Sequence, residues 1–219
     1  MSMRTRVVLL GPPGAGKGTQ ADRLAARLGV PHVSTGELFR HHVSTQTPLG
    51  READTYMRRG DLVPDAVTLS MVADRLADAD AARGAVFDGF PRTVAQATAL
   101  DQQLAERGHP LDGAVLLEVP EDVLVLRLTG RRFCAECQAT YHLEWSPPAI
   151  ADRCDRCGGP LRRRADDDEA TVTRRLAVYR AETFPLVAFY EKSGRLWRVD
   201  GLGSVDQVAA RLEGVLASD

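Results

Sequence analysis

A glycine-rich stretch near the start of the chain has the residue types and spacing that hold a polyphosphate. Residues 11–19 read GPPGAGKGT and follow an apolar run at residues 7–10. Glycines let a backbone approach phosphates closely, and a helix that starts there presents the positive end of its dipole. Lys17 can bridge two phosphates, and a hydroxyl just beyond it can reach Mg²⁺. The strict pattern has Ser or Thr directly after the lysine, whereas here Gly18 comes first and the hydroxyl is at Thr19. We predict a nucleotide-binding loop; an ordinary Gly/Pro turn is the alternative.

Four cysteines form two short pairs in the second half of the chain. Cys134 and Cys137 make one C-x2-C pair, and Cys154 and Cys157 make the other. This spacing is typical of a four-thiolate zinc site, which completes a tetrahedron and leaves no open position for chemistry. We therefore expect a structural zinc ion that holds together a segment with little apolar content. Four unrelated thiols or a disulfide pair are the alternatives.

The composition is that of a globular protein with a substantial core. Hydrophobic residues make up 44% of the 219 residues and charged residues 26%, and the net charge of −2 gives no reason to expect binding driven by bulk attraction to nucleic acid. Lysine occurs only at Lys17 and Lys192, so 26 of the 28 basic residues are arginines. An arginine is therefore weak evidence of function here, and Lys17 is strong evidence. The first residues lack the apolar segment of a signal peptide and no apolar run is long enough to span a bilayer, so we expect a cytoplasmic protein.

Nearly uninterrupted apolar strands alternate with helical patterns, which predicts a parallel sheet covered by helices on both faces. The predicted strands are residues 7–10, 30–34, 85–88, 114–119 and 196–199. The predicted helices are residues 17–28, 37–44 and 50–59, further helices from 65, 93 and 120, one over 168–192 bent near Pro185, and one from 204. Thr93 with Gln96 and Ser204 with Gln207 are predicted capping boxes. Residues 131–166 interrupt the alternation and are predicted to fold separately.

Five motifs occur in the order and with the spacing of the adenylate kinase family, which the chain resembles over essentially its whole length. They are G-x-P-G-x-G-K-G-T at 11–19, STG at 34–36 with Arg40, DGFPR at 88–92, GRR at 130–132 and R-x-D-D at 164–167. The cysteine pairs match the zinc-lid form of that family, and Gly18-Thr19 is the family's own version of the loop.

The resemblance implies reversible transfer of the terminal phosphoryl group from MgATP to AMP, giving two ADP, in adenine nucleotide balance and salvage. It implies a P-loop core of five parallel strands (1–33, 64–129 and 168–219), an AMP-binding helical insertion (34–63) and a zinc lid (130–167). Mg²⁺ would accompany ATP, and we expect a monomer without nucleic-acid or membrane partners. The alternatives are a UMP/CMP kinase or GTP:AMP phosphotransferase of the same fold, and a zinc-ribbon nucleic-acid-binding module.

By motif position, the resemblance also implies the roles of individual residues. The ATP-binding residues would be Gly14, Ala15, Gly16, Lys17, Gly18, Thr19, Arg127, Arg131, Thr140, Tyr141 and Gly203. The AMP-binding residues would be Thr35, Arg40, Asp61, Leu62, Val63, Gly89, Phe90, Pro91, Arg92, Gln96, Arg164 and Arg175. The catalytic residues would be Lys17, Arg92, Arg131, Arg164 and Arg175.

Four acidic or amide residues carry predictions from their own chemistry. Asp88, at the carboxyl end of a predicted strand, is placed to hold Mg²⁺ through water. Gln96 either caps the helix that starts at Thr93 or also binds AMP. Asp166 and Asp167 are either first-turn acids that stabilise the following helix or contacts at the hinge of the lid.

Overall fold

A computed structural model of the protein describes residues 3–217. In chain order the elements are β1 (Arg6–Leu10), α1 (Lys17–Leu28), β2 (His32–Ser34), α2 (Thr35–Ser44), α3 (Pro48–Met57), α4 (Asp65–Leu76), β3 (Ala85–Asp88), α5 (Val94–Glu106), β4 (Gly113–Glu118), α6 (Glu121–Thr129), β5 (Arg131–Cys134), β6 (Thr140–His142), β7 (Leu161–Arg162), α7 (Glu169–Val178), α8 (Pro185–Lys192), β8 (Leu196–Asp200) and α9 (Val205–Leu216). Among these described elements, none of the helices combines the length and the apolar character needed to cross a membrane.

The central feature is a five-stranded sheet in the order β2-β3-β1-β4-β8, in which every pairing is parallel. Successive side chains of β1 enter different cores: Val7 and Leu9 pack on one face of the sheet, and Val8 and Leu10 on the other. A strand buried on both faces needs apolar residues throughout, which is why these strands read as continuous apolar runs. The predicted parallel sheet with helices on both faces is confirmed.

Strand β1 lies at the middle of this sheet. From β1 the chain builds β2 and β3 on one side and β4 and β8 on the other, so the direction of winding changes at β1. Crevices at such switch points, outside the carboxyl ends of the strands, are where open α/β sheets bind ligands. The segments that follow β1, β2 and β3 all carry predicted site residues, and all leave this edge of the sheet.

Two smaller units have their own packing. Helices α2 and α3 enclose a small core that contains Phe39, Ala53, Val63 and Met71. The two helices approach closely because α3 carries Gly50, where a Cβ atom would lie 2.0 Å from the His42 carbonyl oxygen. Strands β6-β5-β7 form a separate antiparallel sheet over a cluster of cysteines, within the segment predicted to fold separately.

The helix predicted over residues 168–192 is not continuous, and its interruption lies just before Pro185, where a bend was predicted. A wide π-helical turn at Tyr179–Thr183 separates α7 from α8, and the Phe184 N–H donates to the Tyr179 carbonyl, five residues back, at 2.8 Å. Pro185 follows directly; it has no N–H to continue the α-helical pattern, and its ring crowds the carbonyl four residues earlier. Widening the turn before the proline removes that conflict, so the irregularity precedes Pro185.

One of the two predicted capping boxes is complete. In α9, Ser204 and Gln207 exchange both hydrogen bonds. In α5 only half of the box forms: Thr93 accepts from the Gln96 N–H at 3.2 Å, but the Gln96 side chain accepts from the Arg92 N–H at 2.8 Å. Gln96 therefore stabilises both the loop that precedes α5, through its side chain, and the first turn of α5, through its backbone N–H.

Candidate active site

The glycine-rich loop joins β1 to α1 and folds around the ammonium group of Lys17. Gly14 and Gly16 take left-handed φ values of 87° and 94°, which favour glycine. The Lys17 Nζ atom donates to the carbonyls of Gly11 at 2.7 Å and Pro12 at 3.0 Å. Burial lowers the pKa of Lys17 to about 8, against the raising effect of Asp88. The loop thus holds a partly desolvated cation whose present acceptors are backbone oxygens.

Asp88 stands beside this loop at the carboxyl end of β3. Its register partner is Leu9 of β1, and a Cβ atom at Gly18 would lie 3.4 Å from the Asp88 Oδ2 atom. Burial alone would raise the pKa of Asp88, but the neighbouring His32 and Lys17 hold it below its usual range. The carboxylate therefore stays ionised next to the loop, as a cation ligand must.

His32 is a site residue that sequence reasoning missed. Its Nδ1 atom lies 2.8 Å from the Asp22 Oδ1 atom, and its Nε2 atom lies 3.7 Å from the Asp88 Oδ2 atom. Burial disfavours the imidazolium, but the two carboxylates outweigh it and raise the pKa of His32 to about 10. A single histidine in a short strand carries no motif, so only the approach of α1 and β3 reveals this role.

The loop after β3 is fixed by its own side chains. Arg92 donates through Nε to the Gly89 carbonyl at 2.8 Å, and the Thr35 hydroxyl donates to the same oxygen at 2.7 Å. Gln96, which accepts from the Arg92 N–H, also donates to Asp65 at 2.6 Å. These bonds hold the Arg92 guanidinium at the edge of the sheet.

Several largely buried arginines converge in front of the sheet, and nearby acidic groups balance little of their positive charge. Burial, reinforced by neighbouring guanidinium groups, lowers the pKa of Arg92 and lowers that of Arg164 to about 9. Burial also lowers the pKa of Arg40. Within residues 3–217, the buried Nε atoms of Arg40 and Arg164 have no hydrogen-bond partner. Such a cluster of desolvated cations has a high affinity for a polyanion, because phosphate oxygens supply both charge and acceptors.

Two clefts meet at Arg92 and Arg175. One, with about 620 Å³ of open space, is lined by residues that include Thr35, Arg40 and Val63. The other, with about 540 Å³, is lined by residues that include Lys17 and Pro13. They share five lining residues, which are Gly60, Leu62, Gly89, Arg92 and Arg175. A group bound in one cleft can therefore reach a group bound in the other past the side chains of Arg92 and Arg175.

A buried pair of aspartates ties the small sheet to α7. The fully buried Asp167 carboxylate accepts from Arg131 at 2.8 and 2.5 Å and from Arg175 at 3.2 Å. Asp166 lies 2.9 Å from Arg175. Helix α7 begins only afterwards, where Asp168 caps it by accepting from the Thr171 N–H. Asp166 and Asp167 precede the first turn of α7, so the first-turn interpretation is wrong. Their contacts join Arg131 of β5 to Arg175 of α7, which fits the predicted contact at the hinge of the lid.

The four cysteines converge as the spacing predicts. Their sulfur atoms all lie within 4.8 Å of one another, and the closest pairs are 3.4 and 3.5 Å apart. Zinc–sulfur bonds of about 2.3 Å in a tetrahedron require sulfur–sulfur separations of about 3.8 Å, so a small contraction or expansion fits the set to a metal ion. The two knuckles also repeat each other, since the Cys134 and Cys154 N–H groups each donate at 2.9 Å to the carbonyl five residues on. None of the four cysteines forms a disulfide bond, which contradicts the disulfide alternative.

The remaining predicted residues fall into two groups. Asp61, Leu62 and Val63 line the Arg40 cleft, and Pro91 lines the Lys17 cleft, whereas Phe90 is buried in the core. The clefts, as the described residues line them, do not include the predicted residues Gly14, Ala15, Gly16, Gly18, Thr19, Arg127, Arg131, Thr140, Tyr141, Arg164 and Gly203. Arg127 instead donates to the carbonyls of Gly201 at 3.0 Å and Ala15 at 3.4 Å, beside the loop.

Sequence reasoning also passed over several residues that line the clefts. Met57 and Gly60 line the Arg40 cleft, although neither belongs to a predicted site. Tyr179 and Thr183, from the π-helical turn, line the Lys17 cleft. No pattern marks these positions, because they reach the site through the packing of α3 against α2 and of α7 against the sheet.

Comparison with known proteins agrees with this geometry. The family model described as adenylate kinase matches residues 9–195. An adenylate kinase of Moorella thermoacetica is 51% identical over 98% of this chain and 99% of its own length. Those of Carboxydothermus hydrogenoformans and Thermodesulfovibrio yellowstonii are 48% and 53% identical, over 96% and 93% of this chain and 99% and 94% of their own lengths. With a family match over most of its length and about half of its residues shared with these relatives, the chain belongs to the adenylate kinase family.

Proposed function

We propose that the two clefts hold the two nucleotides of an ATP:AMP phosphoryl transfer. The chain is an ATP:AMP phosphotransferase by its family, and the alternatives of another nucleotide specificity or a nucleic-acid-binding module are not favoured. ATP would occupy the Lys17 cleft and AMP the Arg40 cleft. This assignment rests on one observation: Arg92 and Arg175 line both clefts, so the phosphoryl group would pass from one nucleotide to the other beside these two side chains.

The chemistry asked of these side chains is positioning and charge neutralisation. The transferred phosphoryl group needs little covalent help, but two polyanions must be brought together and the charge on the moving group stabilised. Arginine grips phosphate with two donors and stays charged at all relevant pH values. Lys17 would exchange its two backbone acceptors for phosphate oxygens, and Arg92, Arg131, Arg164 and Arg175 would surround the group in transit.

Magnesium would be held on the ATP side by Asp88 through water. The carboxylate is ionised, buried and adjacent to the loop, which fits a hard cation. The bound ion neutralises charge on the phosphates. His32 would keep Asp88 oriented from the side away from the loop.

The two smaller units would act as covers over the clefts. Residues 34–63 would form the AMP-binding insertion, and residues 130–167 would form a lid that excludes water from the transfer. Zinc, held by Cys134, Cys137, Cys154 and Cys157, would keep the lid rigid. The closed four-sulfur arrangement suits a structural ion, since it leaves no position for substrate. We also propose a cytoplasmic monomer.

A coupled assay of ADP formation tests the function directly. ATP with AMP is expected to give the fastest turnover among AMP, UMP and CMP as acceptors and ATP and GTP as donors. Faster reaction with UMP or CMP would show that the assignment of AMP is wrong.

Two lysine variants test the loop. Lys17→Ala is expected to lower kcat by about 10²- to 10³-fold, as for the loss of one donor to a charged transition state. Lys192→Ala is the matched control, since it removes the other lysine of the chain at the exposed end of α8. Equal kcat values for the two variants would remove Lys17 from the mechanism, provided that both melt at the wild-type temperature.

A further inference from the structure

The side chain of Tyr141 points to the opposite face of the lid sheet from its neighbours. Successive side chains of a strand alternate between faces. In β6, Thr140 is exposed and His142 stacks on Trp145 with ring centroids 4.3 Å apart. Tyr141 instead packs against the cysteine cluster, next to Cys154. Its side chain is thus directed at the sulfur atoms, whereas the resemblance assigned this residue to ATP.

The Tyr141 hydroxyl makes two contacts there. Its oxygen accepts from the Asp155 N–H at 2.8 Å, and it lies 3.4 Å from the Cys154 sulfur. A phenol carries one proton, and because the backbone N–H already donates to the oxygen, that proton is free to donate to the sulfur. A metal-bound thiolate is a good acceptor for such a bond, and partners of this kind fix the orientation of the ligand.

We infer that Tyr141 is a positioning residue of the metal centre, whose hydroxyl fixes the Cys154 sulfur and the Asp155 turn for metal binding. This inference rests on the proposed binding of zinc by the four cysteines. The bond links β6 to the second knuckle across the cluster, so it joins two segments that the chain itself connects only through residues 143–153. Without it, Cys154 would depend on its own loop for its orientation.

Zinc release from the full-length protein tests the inference. Tyr141→Phe removes the hydroxyl and leaves the ring, and Tyr56→Phe, in α3 and outside the lid, is the matched control. Release to the chromogenic chelator 4-(2-pyridylazo)resorcinol, measured without nucleotide, is expected to be about 10- to 100-fold faster for Tyr141→Phe than for wild type or the control. In the cobalt-substituted protein, the sulfur-to-cobalt charge-transfer band is expected to shift for Tyr141→Phe alone, which mere loosening of the lid would not cause.

Three results would overturn the inference. Wild-type release kinetics and an unshifted cobalt band for Tyr141→Phe would show that the hydroxyl does not act on the ligand. A raised KM for ATP with unchanged zinc release would assign the hydroxyl to the nucleotide instead. Wild-type protein without zinc would refute the proposed metal role and the inference with it. The ATP and AMP assay on the same sample judges phosphoryl transfer separately.

Discussion

Replacing Asp167 with asparagine isolates the contribution of the buried Arg131–Asp167 ion pair to stability. The carboxylate is fully buried and receives a bidentate pair from Arg131, whose side chain is only 16% exposed. Asparagine keeps the size of the side chain but removes its charge. Arg131 then lies in a desolvated site without its counter-charge, while Arg175 keeps Asp166 at 2.9 Å.

The expected cost follows from this burial. Removing one partner of a buried ion pair costs about 3 to 5 kcal/mol, because the remaining charge is left uncompensated. Since Arg175 retains a partner, we expect the lower end of that range, about 3 kcal/mol. In a chain of this length each kcal/mol moves the melting temperature by about 2 to 4 °C, so the Tm of Asp167→Asn should fall by about 6 to 12 °C.

Asp206→Asn is the matched control for Asp167→Asn. The Arg23–Asp206 pair has the same shortest N–O distance as the Arg131–Asp167 pair, 2.5 Å, but its side chains are 48% and 81% exposed. An exposed pair contributes less than about 1 kcal/mol, so the control should lose less than about 4 °C. Thermal unfolding followed by circular dichroism, with urea unfolding as a second measurement, compares the two. Equal losses of stability in the two variants would refute the argument that burial determines how much the Arg131–Asp167 pair contributes to stability.

Three further predictions concern other parts of the structure. His32 has a pKa of about 10 in the folded protein, against an ordinary value of 6.5. Its contribution to the stability of the folded protein is therefore fully present below pH 6.5 and is lost as the pH rises through 10. His32→Gln should thus lower the free energy of unfolding by about 1 to 3 kcal/mol at pH 6 and change it little at pH 10.5. The figure at pH 6 is reduced because Asp22 is exposed to solvent. A difference in urea unfolding that does not depend on pH would contradict this prediction. Gln138 and Gly158 occupy equivalent left-handed positions after the two knuckles, with φ of 61° and 75°, so Gln138→Gly should stabilise and Gly158→Ala destabilise by about 1 kcal/mol each in thermal unfolding. Zinc removal should lower Tm while ADP formation persists at temperatures where the protein stays folded; metal analysis without zinc together with four titratable thiols in native protein would contradict the zinc assignment.

Local patterns sufficed for most of the secondary structure. Helix α1 was predicted over its observed range, because Gly16 and Gly29 mark its two ends and Leu24 and Leu28 define its buried face. Strands β1, β3 and β4 were predicted because each is buried on both faces, whereas β5, β6 and β7 of the small sheet were not predicted as strands. Segments whose ends depend on neighbours were less accurate: α2 and α3 each begin two residues before the predicted start.

The residues of the candidate site also fall into those that local patterns predict and those that depend on distant partners. The loop at 11–19, the cysteine pairs and the motif arginines were predicted because each depends on residue types at short spacing. His32, Gly60 and the bonds of Asp167 were not, since their partners lie elsewhere in the chain. Nothing in the pattern around Tyr141 indicates that its hydroxyl meets a sulfur thirteen residues away.

The order of residues was enough to establish the fold class, the nucleotide loop and the four-sulfur cluster, because apolar strand patterns, glycine turns and knuckle spacing are all short-range properties of the sequence. The meeting of the two clefts at Arg92 and Arg175, and the charge state of Asp88 beside its histidine, come from folding alone. Both depend on which charges are buried next to which others. Burial and approach through space are set by the packing of distant segments, so no local pattern records them.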